Sequence, residues 1–191
     1  PTTGCRTDAD PPSHTVLLID ASEPLAARHK RLLSAAAARI QRDTERHGQV
    51  SIVLLRADAP QEPLWLESLC SPGDGQDANP LFANPAHQQA RWAEGFAEPL
   101  AAAAQTAGER RADRASPISA GLKAVSADAR FMDADDRSIV LVSDMIEFDP
   151  SGANLYDPAR AFDPARDRTA LLNGVHVRVV WLDRPDIVAV Q

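Results

Sequence analysis

The chain has 191 residues, 44% of them hydrophobic, enough for one substantial domain with its own core. Its formal charge is −7, from 27 acidic against 20 basic side chains. That balance argues against a nucleic-acid or polybasic membrane-surface role, and no apolar run approaches the roughly 18 residues that span a bilayer.

Taken in chain order, residues 1–13 (PTTGCRTDADPPS) are polar and proline-rich and read as a flexible tether to a single domain over 14–191. The chain opens on Pro1 and not on Met, which points to a removed upstream segment. Gly4–Cys5 resembles a lipoprotein processing site, with Thr2 where leucine is usual. Abundant Ala, Asp and Pro, with Lys only at positions 30 and 123, fit a high-GC bacterial coding bias. The expectation is a bacterial extracytoplasmic protein, periplasmic or membrane-anchored, with a lipid anchor upstream. Cys5 and Cys70 are too few for a disulfide framework or a cysteine-rich zinc site. A bridge between them and independent roles both stay open.

The run Val16–Ile19 predicts a first strand over 15–19, ending on Asp20 and Ser22. A helical pattern follows from Pro24 to His47 on Leu25, Leu32, Leu33, Ala36 and Ile40, with Pro24 suited to the first turn and Gly48 to the exit. A second strand is expected over 50–55. Residues 70–87 are rich in Pro, Gly, Asn and Asp and read as a long loop. Trp92, Phe96 and Leu100 form a helical stripe within 86–107, interrupted at Pro99, where a kink or a second helix is expected. The stripe reads as core. A further helix is predicted over 117–129 on Ile118, Leu122, Val125 and Ala129, with Ser116 as N-cap and Pro117 at the first position. Strands over 138–142 and 175–182 complete the pattern, separated by an irregular stretch, 145–168, that contains the duplication DPARAF, DPARDR. The remaining RPDIVAVQ is too short to supply the helix that normally covers a last strand.

Strands alternating with helices predict an α/β fold, a mostly parallel central sheet with helices on both faces. In such sheets the loops at the carboxyl ends of the strands form the binding crevice. Three such places stand out: LLIDASEP with Asp20 and Ser22, ASPISAGL with Ser116, and VLVSDMIE with Asp144. Their order resembles the von Willebrand factor A-type (VWA) domain, a three-layer, Rossmann-like fold. That family carries Asp-x-Ser-x-Ser after the first strand, a Thr entering a helix, and an Asp after the fourth strand, which together form a metal-ion-dependent adhesion site.

The resemblance implies Asp20, Ser22, Ser116 and Asp144 as ligands of a divalent cation, usually magnesium, with a position left open for a partner's carboxylate. Hard cations of this kind want oxygen donors in near-octahedral geometry. Pro24 stands where the family has its second Ser, Ser116 where it has Thr, and Met145 where Gly commonly follows the last Asp. Each of the four residues also has an architectural role open to it: Ser22 and Ser116 as helix caps, and the carboxylates as loop anchors.

The function this implies is protein binding at the carboxyl edge of the sheet, with magnesium as the candidate cofactor and no catalytic residues. Two alternatives stand beside it. One is a metal-dependent hydrolase using Asp20 and Asp144, and the other is a structural module without a ligand. His14, His29, His47, His87 and His176 share no metal-ligand spacing. There is no phosphate-binding glycine loop or nucleophile elbow. The Asp-x-Asp pattern of haloacid-dehalogenase-type phosphatases fails at Ser22.

Overall fold

Val16, Leu17, Leu18 and Ile19 are all 0% exposed, as a strand covered on both faces requires. They form the centre of β1 (Ser13–Ile19) in a computed structural model that describes residues 11–76, 84–110, 115–149, 154, 157–160 and 172–185. The chain continues through α1 (Ala27–Asp43), β2 (Gln49–Leu54), β3 (Leu64–Cys70), α2 (Pro85–Trp92), a π-helical turn (Ala93–Ala97) and α3 (Glu98–Glu109). It then forms α4 (Ile118–Ala127), the short α5 (Ala129–Met132), β4 (Asp136–Ser143) and β5 (Val175–Trp181).

The five strands make one mixed sheet in the order β3-β2-β1-β4-β5. β1 pairs in parallel with β2 and β4, and β4 with β5, whereas β2 and β3 are antiparallel. The fold is therefore α/β with a mostly parallel sheet, as expected. Alternation along β1 divides the interior. Leu17 and Ile19 pack with Leu33 and Ile40 of α1 and with Phe96 and Leu100. Val16 and Leu18 pack with Ile118 and Val125 of α4 and with Phe131.

Three expectations are corrected and one is met. β3 has no counterpart in the sequence reading. It is an edge strand whose pairing shifts register between Ile52 and Val53, and Glu67 and Ser68 break its apolar run. α1 starts at Ala27 and not at Pro24, and it ends at Asp43 and not at His47. Its N-cap, Ala26, makes no side-chain bond, so Ser22 does not cap it. The second helix expected at Pro99 is present: α3 begins at Glu98, with Pro99 in its first turn, after the π-helical turn Ala93–Ala97. Ser13 lies in β1, and Asp136 N–H donates to Pro12 O at 3.1 Å, so the predicted tether boundary at 13 falls inside the sheet.

Of the duplicated DPAR copies, Pro158–Arg160 forms a single 3₁₀ turn and the second lies outside the described residues. Along β5, Val177, Val179 and Trp181 are 41%, 41% and 46% exposed; the RPDIVAVQ stretch lies outside the described residues after Pro185. Cys70 is disulfide-bonded; the other cysteine of the chain, Cys5, lies outside the described residues.

Gly121 sets how closely α4 approaches the sheet: a Cβ there would meet Leu55 Cδ2 at 2.0 Å. Gly121→Ala is expected to destabilise the fold by about 1–3 kcal/mol. Adding Leu55→Ala removes the overlap, so the double variant should be clearly more stable than the sum of the two single changes. Additive denaturation energies would show that α4 is not seated this way.

Candidate functional site

β1 and β4 are neighbours, and the chain leaves them toward opposite edges of the sheet. Their carboxyl ends therefore border a crevice at the point where strand order reverses. Asp20 continues β1 into this place, with its N–H donating to Val142 O at 2.9 Å, and the residue is only 4% exposed. A buried carboxylate needs donors on both oxygens. Ser116 Oγ donates to Asp20 Oδ2 at 2.5 Å and Ser143 Oγ donates to the same oxygen at 2.9 Å. Oδ1 accepts from the Ser22 backbone N–H at 3.1 Å.

Asp20 thus joins three elements. Ser116 is brought in by a two-way backbone bridge with Phe148, with N–O distances of 2.9 and 3.0 Å. Its hydroxyl is spent on Asp20, and the first turn of α4 is served from elsewhere. Glu147 Oε2 accepts from both Ser119 N–H and Ser119 Oγ at 3.0 Å. The predicted Ser116 cap is therefore replaced by a glutamate from the loop after β4. Burial lifts the Glu147 carboxyl to about 7, against the Ser119 bonds that pull it down, with Asp149 and Asp20 adding to the rise.

Asp144 stands at the opening. Its Oδ1 accepts from Ile146 N–H at 3.0 Å, and its Oδ2 faces Arg184 Nη1 at 3.2 Å. Burial raises its carboxyl above the usual range, and the nearby Asp20 adds to this, while the Ile146 bond and Arg184 work against it. The same Arg184 nitrogen lies 2.8 Å from Glu23 Oε2. Met145, where the VWA family commonly has glycine, takes a left-handed backbone with φ of 62°. The Met145 N–H is held by Ser143 Oγ at 2.8 Å.

The loop after β5 is fastened across the crevice. Leu182 N–H donates to Ser143 O at 3.0 Å, and Arg28 Nη2 donates to Asp183 O at 2.9 Å. His29 Nε2 lies 3.3 Å from Asp183 Oδ1. The cavity so enclosed has a volume of about 210 Å³, with Asp20, Ser22, Glu23, His29, Asp144 and Arg184 in its wall.

All four sequence-predicted residues therefore meet at one sheet edge. Asp20, Ser116 and the Ser22 backbone share direct bonds, and Asp144 sits apart on the arginine. Sequence reasoning missed Ser143, Glu147, Glu23 and Arg184. The SDMIE motif held the first two, but their partners lie far away in the chain. A lone arginine just past the last strand was the only signal for Arg184.

As arranged, these residues do not fit a resident divalent cation. Both Asp20 oxygens accept from protein donors, the single Arg184 guanidinium lies against both Asp144 and Glu23, and Pro24 removes a hydroxyl.

No family model and no curated protein matches the chain. Among solved structures it is similar to proximal thread matrix protein 1 from the mussel byssus, at 15% identity and a TM-score of 0.48, over 92% of this chain and 38% of that one. It is also similar to the pilus adhesin SpaC from Lactobacillus rhamnosus GG in an open conformation, at 14% identity and a TM-score of 0.42, over 76% of this chain and 16% of that one. The chain spans well under half the length of either protein. Likeness at this level establishes neither family nor function.

Proposed function

We propose that this chain is a partner-binding module of the VWA type, a three-layer domain that engages a protein partner at the carboxyl edge of its sheet. The observation that carries this is the crevice itself. A buried aspartate ties together serines from the loop after β1, from β4 and from the entry to α4, and charged side chains stand ready at its rim. Preorganised polar groups around a small cavity suit recognition of a protruding side chain. A hydrolase would need a nucleophile or an available base there. Asp20 and Asp144 are instead both committed to protein donors.

The disulfide-bonded Cys70 supports an oxidising, extracytoplasmic setting. Among the described residues no helix is long and apolar enough to cross a membrane.

A photo-crosslinking residue at position 22, on the crevice rim, is expected to trap a partner when the protein is expressed in its native setting. The same residue at position 45, beyond the C-terminal end of α1 and at the opposite end of the strands, should not. Equal trapping from both positions, or none from position 22, would count against the crevice as the binding site.

A further inference from the structure

We propose that Arg184 is the built-in cation of this crevice, and that Glu23 occupies the place of a partner's carboxylate, so that the site recognises an acidic group without a metal. This rests on reading the crevice as a partner site, and it adds the chemistry of what is recognised.

The three charges differ in how firmly they are held. The Asp144 side chain is 12% exposed and fixed by the Ile146 N–H, and Arg184 is 17% exposed. Arg184 follows directly on Leu182 and Asp183, which are pinned to Ser143 and to α1. Asp144 and its backbone anchor therefore hold the guanidinium in a set position. Glu23 is different: its side chain is 57% exposed, and its contact with Arg184 is a single charge pair at 2.8 Å facing solvent. Such a pair contributes little, because water competes for both partners. An incoming carboxylate can take the Glu23 position at small cost and keep the inner Asp144–Arg184 contact intact.

A planar guanidinium matches carboxylates and phosphates alike in shape, and a carboxylate is assigned here because the chain already places one against it. Glu23 shows that a carboxylate of this chain already reaches the guanidinium. The Glu23 side chain comes from the loop between β1 and α1, which carries Ser22, so displacing it also frees the rim next to the Asp20 network. A bare divalent ion would need Arg184 to leave first, with loss of the Asp144 pair.

The test is an NMR titration of the whole chain with sodium acetate and with N-acetyl-aspartate amide, following the amides of residues 22, 144–146 and 184. Saturable shifts are expected in the wild type. Glu23→Gln removes the internal competitor and should tighten both probes about threefold to fivefold. Arg184→Gln should abolish the saturable shifts, and Arg184→Lys, which keeps a cation, should retain weakened binding and serves as the folding control. Unchanged affinity in Glu23→Gln, or retained binding in Arg184→Gln, overturns the proposal. So does broadening of the amides around Asp144 by manganese in the wild type, since that would place a metal where the arginine is assigned. The two readings fail separately. Loss of the crosslink from position 22 removes the partner site and leaves the acetate result standing, whereas loss of acetate binding with the crosslink intact removes only the role of Arg184.

Discussion

Asp20→Ala is expected to destabilise the fold by about 3–5 kcal/mol, among the largest effects of any single change near the crevice. The carboxylate is 4% exposed and receives two hydroxyl donors and one backbone N–H. Removing it leaves Ser116 Oγ and the wholly buried Ser143 Oγ without their acceptor in a place water does not readily reach. Charge-assisted bonds of this kind count for more than neutral ones, and unmet buried donors add a further penalty.

Asp20→Asn keeps the shape but sets an amide N–H₂ against one of these donors, and it should cost roughly half as much. Chemical denaturation with an unchanged m-value is the measurement. Ser116→Ala should matter in the wild type and have almost no further effect once Asp20 is alanine, because both changes break the same bond. An Asp20→Ala protein within about 0.5 kcal/mol of wild type would show that the carboxylate does not organise these strand ends.

The second large effect is a pair of opposed pH dependences. Burial lifts Glu147 from 4.5 to about 7. Between these values the folded chain holds a proton that the unfolded chain has lost, so this group makes stability fall as pH rises through that window. His14 acts in the other direction. It is 0% exposed, bonded through Nε2 to Ser51 Oγ at 2.8 Å and through Nδ1 to the Arg130 carbonyl at 3.0 Å. Burial lowers it from 6.5 to about 4, with the Arg130 carbonyl and Asp128 opposing the shift and the Arg130 charge adding to it. Between 4 and 6.5 the unfolded chain holds the extra proton, so stability falls as pH drops.

Each term is on the order of 3 kcal/mol, and they overlap and cancel between roughly pH 4.5 and 6.5. The raised Asp144 adds to the Glu147 slope just above its ordinary 3.8, whereas Asp128, lowered chiefly by its bond to Arg130, acts only below 3.8 and so outside this range. The wild type should therefore be nearly flat across that range. Glu147→Gln should expose a stability that decreases from pH 6.5 to 4.5, and His14→Gln one that increases over the same interval. Denaturation midpoints across pH for the three proteins test this. Two parallel variant curves would show that neither group titrates as its surroundings dictate.

Much of this architecture is written locally. Continuous apolar runs at Val16–Ile19 and Ile139–Val142 can only be strands buried on both faces, and both are. The stripe of Leu33, Ala36 and Ile40 marks the buried face of α1 wherever that helix begins. Strand-helix alternation then places Asp20 and Asp144 at carboxyl ends, and hence at one edge of one sheet. β3 escaped this reasoning because an edge strand with a register shift buries its residues unevenly and carries no clean period. The start of α1 escaped it because Pro24 suits a first turn by its own geometry, while the loop before the helix is held by Asp20 bonding to Ser22.

The sequence by itself determined the α/β class, the strands of the parallel core and the strand-end positions of Asp20 and Asp144, because burial periodicity and strand-end polarity are properties of short segments; that Ser116 joins them was implied only by the resemblance to the VWA domain. Only the tertiary structure decided what those residues do there. Asp20 finds its hydroxyl partners 96 and 123 residues away, Glu147 takes over the end of α4 that Ser116 was expected to cap, and Arg184 reaches Asp144 across 40 residues. The physical reason is that a hydrogen bond or ion pair is chosen by position in space, and no local pattern records which distant donor will arrive.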